Sequence, residues 1–493
     1  MCQVKRTPFV GLLLALLLLS LLSPLSGHCA PGWESPGTDH FVPVFAEVQA
    51  LDQSGFNSAT GPAAEETIDL LLKRGVERDL VSGGVVLVGN RNGILSITAR
   101  GRLDRDRGAP LLDERTIFDL ASLTKVVATA PAVMKLLDQG KIRLSDPLAR
   151  WFPEFRYSGH RKVTVLALLT HTSGLVNPQQ SPSPFIRTLV QRAAAERVVA
   201  APGGRFKYAD INFILLAELV RRVSGKPLDV YCREQIYRPL GMHETMFTPP
   251  KGLADPLAPT VGLNKGKGFY QGVVQDANAR RLGGVAGHAG LFSSALDLSR
   301  YARLMLGRGA LNGKRILSVR VVNQMTAAHR CGPTRVKRGL GWDMDSPFSA
   351  PRGTLFSQRS FGHTGYSGSS IWIDPQTDLF VILLTNRRNY RDTASFNRLR
   401  GDVSIVAAAQ FGRLPAGSSA SARGALTRIT TNLRQGGSRK STIASRRIKP
   451  APGRQGRKHL HRHGKIVARL ANPPLLPRKP VLKNPTDAGN AQG

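Results

Sequence analysis

Strand-like apolar runs lie far apart in this chain, at its two ends, with helix-like patterning between them. Ser82–Gly89 and Ile94–Ala99 read as strands joined at Asn90–Gly93, a good hairpin turn. Ser369–Ile373 and Leu379–Thr385 read the same way around Asp374–Asp378. In between, Thr164–Thr170, Phe185–Val199 and Ile211–Val223 carry helical spacing, the last closing at Ser224–Gly225. Amphipathic helices at Ala63–Leu80 and Ser395–Phe411 flank the strands. Strands need partners and apolar faces need covering, so this order predicts an α+β fold. One antiparallel sheet would be built from both chain ends, flanked by helices, with an all-helical subdomain inserted.

Of the 493 residues, the first 22 read as a secretory signal: Lys5 and Arg6, an apolar run from Val10, then small and turn residues. The run is short for a membrane span, and an uncleaved anchor is the alternative. Leu25–Cys29 has the outline of a lipoprotein box, but His28 before Cys29 argues against lipidation. The expected organisation is a signal over 1–29, a linker over 30–60, a folded domain over 61–412 and a basic tail over 413–493. That places the protein in a secreted or periplasmic setting, with membrane anchoring as a variant.

The net charge of +36 is unevenly spread. Residues 414–493 hold 17 Lys/Arg against the single acid Asp487 and are rich in Pro, Gly and Ser. Such a stretch is expected to be disordered. It could contact anionic envelope polymers or acidic lipid, or simply solubilise the chain; no specific nucleic-acid partner is predicted. Cys232 and Cys331 could pair in an oxidising compartment, though nothing in the sequence joins them. No Cys/His cluster has zinc spacing, and neither a metal nor a cofactor is expected.

Chemistry concentrates in Phe118–Lys125. Ser122 and Lys125 are one helical turn apart, and the apolar period running to Leu137 predicts a helix from here to about Gly140. A serine at a helix start sits at the positive end of the dipole, and a desolvated lysine one turn on can act as its base. Alone, Ser-x-x-Lys is common and reads as a cap with a solvated lysine. Other stretches change that. Tyr208-Ala209-Asp210 precedes the Ile211 helix and could place a phenol to relay a proton. Gly362–Gly368 enters a strand, where glycines admit a ligand; an edge strand there could bind an extended substrate and complete an oxyanion hole. His363 and Thr364 would hydrogen-bond an anionic group. Leu168–Leu175 and Gly283–Ser293 are dense in turn and cap residues. In them His171 reads as a structural hydrogen-bonder, and His288 as either loop scaffold or substrate contact.

Together these stretches resemble the serine β-lactamase and penicillin-binding-protein superfamily, in its class C β-lactamase-like branch with D-alanyl-D-alanine carboxypeptidases and esterases. The three marks of that family are matched by Ser122-Leu-Thr-Lys125, Tyr208-Ala-Asp210 and His363-Thr-Gly365, and the resemblance spans roughly Ala63–Phe411. It implies a serine hydrolase in which Ser122 forms an acyl-enzyme. Lys125 and Tyr208 would handle the proton, and the N–H groups of Ser122 and Tyr366 the oxyanion. His363, Thr364 and Gly365, with Asp210 and His288, would face the substrate. Asp210 stands where the family has asparagine and should hold Lys125 more firmly protonated. His363 stands where it has lysine. The strings around Asp119–Thr129 and Gly283–Ser293 look closest to exo-acting N-acetylmuramoyl-L-alanine amidases. The expected substrate is therefore a small peptide, amide or ester from the cell wall. The alternatives are β-lactamase or carboxylesterase activity, and a non-catalytic envelope-binding protein.

Overall fold

The computed structural model describes residues 61–104, 108–177, 185–253, 255–260, 271–414 and 417–438. The expected signal and linker lie outside these residues, as does most of the basic tail. Chain contacts divide the protein into units 1–437 and 438–493, and only the first residue of the second is described.

The first unit is built on an eight-stranded sheet. Its strands are β1 (Val81–Gly89), β2 (Ile94–Gly101), β3 (His329–Arg330), β4 (Lys337–Arg338), β5 (Asp343–Asp345), β6 (Phe361–Thr364), β7 (Ser370–Asp374) and β8 (Leu379–Arg387). The order across the sheet is β2-β1-β8-β7-β6-β5-β4-β3, and every pairing is antiparallel. The two predicted hairpins therefore meet at β1 and β8, where Val86 lies opposite Leu383 and Val88 opposite Val381.

Both faces of this central pair are covered, which explains why β1 and β8 read as continuous apolar runs. Side chains alternate between the faces. Val85 and Leu87 of β1, with Phe380, Ile382 and Leu384 of β8, join the larger core. That core also takes in helices α2 (Ala130–Asp138), α3 (Ile211–Ser224) and α4 (Ala295–Leu306). Val86, Val88, Val381 and Leu383 face the opposite way, onto α1 (Gly61–Glu77), α5 (Thr393–Phe411) and α6 (Ser419–Ser438).

Helix α6 lies within the stretch expected to be disordered, so that expectation does not hold over Ser419–Ser438. Ala422, Ala425, Ile429 and Leu433 recur at helical spacing and are buried, while Arg423, Arg428 and Arg434 stay exposed. The apolar stripe is thin enough to be hidden by the surrounding Gly, Ser and Arg. The cysteines also depart from the simplest expectation. Cys232 and Cys331 are free and buried, with their thiols on the carbonyls of Ala128 and Thr170.

Candidate active site

The segment after Ser122 does not begin as an α-helix. Ala121–Leu123 form a 3₁₀ turn, Lys125–Thr129 a π-type turn, and the regular helix α2 starts only at Ala130. Pro131, near the start of α2, is the physical reason. Lacking an N–H, it cannot close the helical bond to the preceding turn. The carbonyls of the widened turn are taken by side chains instead. Tyr301 Oη donates to Val126 O (2.7 Å), Tyr237 Oη to Val127 O (3.3 Å) and Cys232 Sγ to Ala128 O (3.4 Å).

This turn puts Lys125 Nζ 3.0 Å from Ser122 Oγ, with the lysine side chain fully buried. The other two acceptors are His288 O at 3.0 Å and Asp210 Oδ1 at 2.8 Å. An ammonium has three N–H bonds, and all three are matched here. Burial pulls the Lys125 pKa down, but Asp210 and Tyr208 push it up by more, so it lies above the ordinary lysine value. Burial raises Asp210, yet Lys125 beside it brings the carboxyl below its usual range. The aspartate thus has the electrostatic effect expected of it.

Tyr208 is fixed by ring contacts. His171 stacks on it with centroids 4.4 Å apart, and Lys125 Nζ lies 5.0 Å from its ring centre. His171 is buried, and its Nδ1 accepts the Ala209 N–H (3.2 Å). Burial, with Arg338 and Lys125 nearby, holds its pKa well below the ordinary value. It is a structural hydrogen-bonder, as read. His288 resolves toward scaffold: its carbonyl holds Lys125, and its Nε2 lies 2.8 Å from Asp276 Oδ1. Asp276 in turn caps the helix Ala277–Arg281 by accepting the Ala279 N–H.

His363 and Thr364 lie on β6 with Gly365 just beyond. A Cβ on Gly365 would run into Ser369 Oγ and the Leu120 carbonyl, so only glycine lets this turn approach the nucleophile segment. β6 is not the edge strand anticipated, because β5 pairs with it at Gly362. Its open end is the turn after Thr364. The N–H groups of Ser122 and Tyr366 make no backbone hydrogen bond among the described residues.

The His363 ring is also not an anion donor. Burial, with Arg338 and Lys125 close by, pushes its pKa well below the ordinary value, and the ring is neutral. Its Nδ1 lies 2.9 Å from Thr364 O. A carbonyl only accepts, so Nδ1 carries the proton and Nε2 is left as an acceptor.

Ser122, Tyr208, His363, Thr364, Gly365 and Tyr366 line one cavity of about 340 Å³. The same cavity is lined by residues the sequence did not single out, among them Arg338, Asp343, Phe348, Arg387, Asn397 and Arg400, which make up an arginine-bearing wall. Arg338 pairs with Asp343 at 3.3 Å. Arg387 and Arg400 are buried, and neither is ion-paired among the described residues. Arg400 Nη2 instead donates to Gly365 O (2.7 Å) and Ser369 O (2.8 Å). Burial, with Arg387 beside it, lowers the Arg400 pKa to about 9. In a chain with 69 Lys/Arg these arginines do not stand out. The one available signal was Asn397 and Arg400 one turn apart on a predicted helix.

Comparison with known proteins decides the family. A model described as Beta-lactamase matches residues 68–404. The chain belongs to the β-lactamase family. It is a serine hydrolase of the β-lactamase and D-alanyl-D-alanine carboxypeptidase type. An N-acetylmuramyl-L-alanine amidase of Bacillus subtilis (strain 168) is 31% identical over 364 residues, covering 64% of this chain and 80% of that protein. A putative D-alanyl-D-alanine carboxypeptidase of Escherichia coli (strain K12) is 30% identical over 308 residues, 55% of this chain and 69% of that one. Among solved structures, a penicillin-binding protein homolog from Caulobacter crescentus superposes with a TM-score of 0.59 at 20% identity, over 71% of this chain and 98% of that one. A class C β-lactamase gives 0.58 at 19% identity, over 70% and 97%. At these identities the structural likeness is one of fold: the same antiparallel sheet with helices on its faces.

Proposed function

We propose that this family member forms an acyl-enzyme at Ser122 and cleaves an amide or ester in peptidoglycan-derived fragments, outside the cytoplasm. The observation that carries the reading is the fully buried Lys125 Nζ 3.0 Å from Ser122 Oγ, with Ser122 lining a cavity of about 340 Å³. Ser122 Oγ bonds to the substrate carbonyl carbon while deprotonated Lys125, with Tyr208, takes its proton. The N–H groups of Ser122 and Tyr366 receive the oxyanion. As the intermediate collapses, the proton passes through Tyr208 to the leaving group, and water then releases the acyl group. Asp210 opposes the first step by keeping Lys125 charged, so loss of that proton is part of the barrier.

Two features bear on substrate. The wall formed by Arg338, Arg387 and Arg400 suits a peptide carboxylate, since buried guanidinium groups are best matched by planar anions. The relatives' names, an amidase and putative carboxypeptidases, point to muramyl-peptides. A small-ester reading is second, favoured by the neutral His363 ring where a charged side chain would select carboxylates more strictly. The N-terminal signal-like segment supports a secreted or periplasmic setting, and the basic residues beyond α6 suit contact with anionic envelope polymers or lipid.

The test is product mass after incubation with defined muramyl-peptides, beside a Ser122→Ala control. Free N-acetylmuramic acid with an intact peptide establishes amidase activity, and loss of a terminal D-alanine alone establishes a carboxypeptidase. Turnover that survives Ser122→Ala removes the Ser122 acyl-enzyme, and turnover only of small esters or β-lactams removes the cell-wall reading.

A further inference from the structure

Asp119 touches neither Lys125 nor the 340 Å³ cavity, yet the three parts of the proposed machinery converge on it. The residue is buried in the short strand Phe118–Asp119. Its Oδ1 accepts the Ala121 N–H at 2.8 Å, and its Oδ2 accepts the Gln275 N–H at 2.7 Å. Its main-chain carbonyl accepts from Ser367 Oγ at 2.6 Å. Next to it, the Leu120 carbonyl accepts from Ser369 Oγ at 2.9 Å.

Each contact leads to a different functional group. Ala121 immediately precedes Ser122 and has φ +47°, a left-handed conformation that a residue with a Cβ adopts at a cost. Gln275 immediately precedes Asp276, which holds His288, whose carbonyl holds Lys125. Ser367 and Ser369 belong to the turn that presents the Tyr366 N–H. Asp119 lines a pocket of about 10 Å³ shared with Gln275, Ser367 and Tyr390, too small for a substrate.

We infer that Asp119 is a positioning residue: its carboxylate holds Ala121 in the left-handed conformation that aims Ser122, and ties that turn to the segments bearing the lysine anchor and the Tyr366 N–H. This rests on Ser122 being the nucleophile. Both oxygens are engaged as acceptors, so a proton on either removes the charge that strengthens the two N–H contacts and weakens the one it joins. Burial raises the Asp119 carboxyl to about 6, against the two N–H bonds that lower it. The charged groups facing it are Asp276, which raises it further, and Arg280, which lowers it; Tyr390 is the remaining titratable neighbour. The turn is therefore braced above about pH 6 and loosened below it.

The probe is 4-nitrophenyl acetate with the full-length protein, following the acylation rate against pH and the acetyl adduct by intact mass. If the wild type forms no adduct that Ser122→Ala abolishes, Ser122 is not the nucleophile and the reading beneath this inference fails. Given that adduct, the wild-type rate should show, below the limb set by Lys125 deprotonation, a further acid-side fall with a midpoint near 6. Asp119→Asn should acylate about 100-fold more slowly at pH 8, with half-saturation changed less than about 3-fold, because a small misplacement of the nucleophile costs rate rather than binding. The further fall near 6 should also disappear, leaving the Lys125 limb in place. Ala121→Gly accepts positive φ without strain, so in the Asp119→Asn background it should recover roughly 10-fold, a coupling expected only of residues acting through one turn. The inference is overturned if Asp119→Asn keeps the wild-type rate and the fall near 6. It is equally overturned by a slowing with no change in that fall and no recovery by Ala121→Gly. If Asp119→Asn does not fold, Ala121→Gly alone decides: a weakened fall near 6 supports the brace, and an unchanged one rejects it.

Discussion

The two walls of the cavity handle buried charge in opposite ways. On the nucleophile wall, Lys125 has all three N–H bonds matched, one of them by the Asp210 carboxylate, and His288 is in turn held by Asp276. The lysine is matched within the protein itself, with one carboxylate as its counter-charge. On the arginine-bearing wall, Arg387 and Arg400 are buried without an ion-pair partner among the described residues, held by carbonyls, a hydroxyl and aromatic faces. Burying a cation without a counter-charge is costly. The first wall is complete by itself and suited to moving protons. The second is completed by a ligand, which makes it the place to look for selectivity.

The largest effect should come from removing the cation of the first wall. Lys125→Ala should lower Ser122 acylation by about 10³- to 10⁴-fold, with little change in half-saturation, as expected for loss of a proton-transfer group. Stopped-flow acylation measures both. A variant that keeps its rate would mean that the matched lysine is only structural.

Asp210→Asn sharpens the same wall with a smaller effect. With the counter-charge gone, burial dominates and the Lys125 pKa falls. The rate limb set by its deprotonation should move to lower pH, raising acylation at pH 7 by roughly 10-fold. The sign matters more than the size. A limb that moves to higher pH would show that Asp210 is not what keeps the lysine charged.

The second wall predicts a change in selectivity. Arg387→Gln should raise half-saturation for a carboxylate-bearing peptide by about 10-fold and leave a neutral ester within about 2-fold, the range for one charge-assisted hydrogen bond. Equal losses on both substrates would break the distinction between the walls. Arg400 is unsuited to this test, because it also braces the turn at Gly365.

These walls differ in how visible they were in the sequence. Ser122, Lys125, Tyr208 and His363 lie in short strings whose residue types are chemically unusual together, and the sheet built from both chain ends followed from the placement of the strand-like apolar runs. Pairing of β5 with β6 was not visible, because β3, β4 and β5 are only two or three residues long and carry no period. The π-type turn was hidden for another reason. Val126, Val127, Ala130 and Val133 fit an α-helical period, and only Pro131 hints that the hydrogen bonds shift. The arginine wall is assembled from β4, β8 and α5, segments far apart in sequence. Its members become neighbours only through the sheet order.

Helix α6 supplies the control with the smallest expected effect on catalysis. Ile429 is buried on the sheet face covered by α1, α5 and α6, in the cluster with Val381 and Leu383, and is not among the cavity-lining residues. Ile429→Ala should destabilise the protein by about 2–4 kcal/mol through lost burial and the cavity left behind. The thermal midpoint should fall, while the acylation rate, its pH limbs and the preference for carboxylates stay unchanged at temperatures where the variant is folded. Central strands β1 and β8 separate the core of α6 from the core that holds the Lys125 segment, so a small defect at Ile429 should remain one of packing. If Ile429→Ala altered selectivity or a pH limb, the properties assigned to the two walls would belong to the sheet as a whole, and the Arg387 and Asp210 results would need to be read as changes in packing.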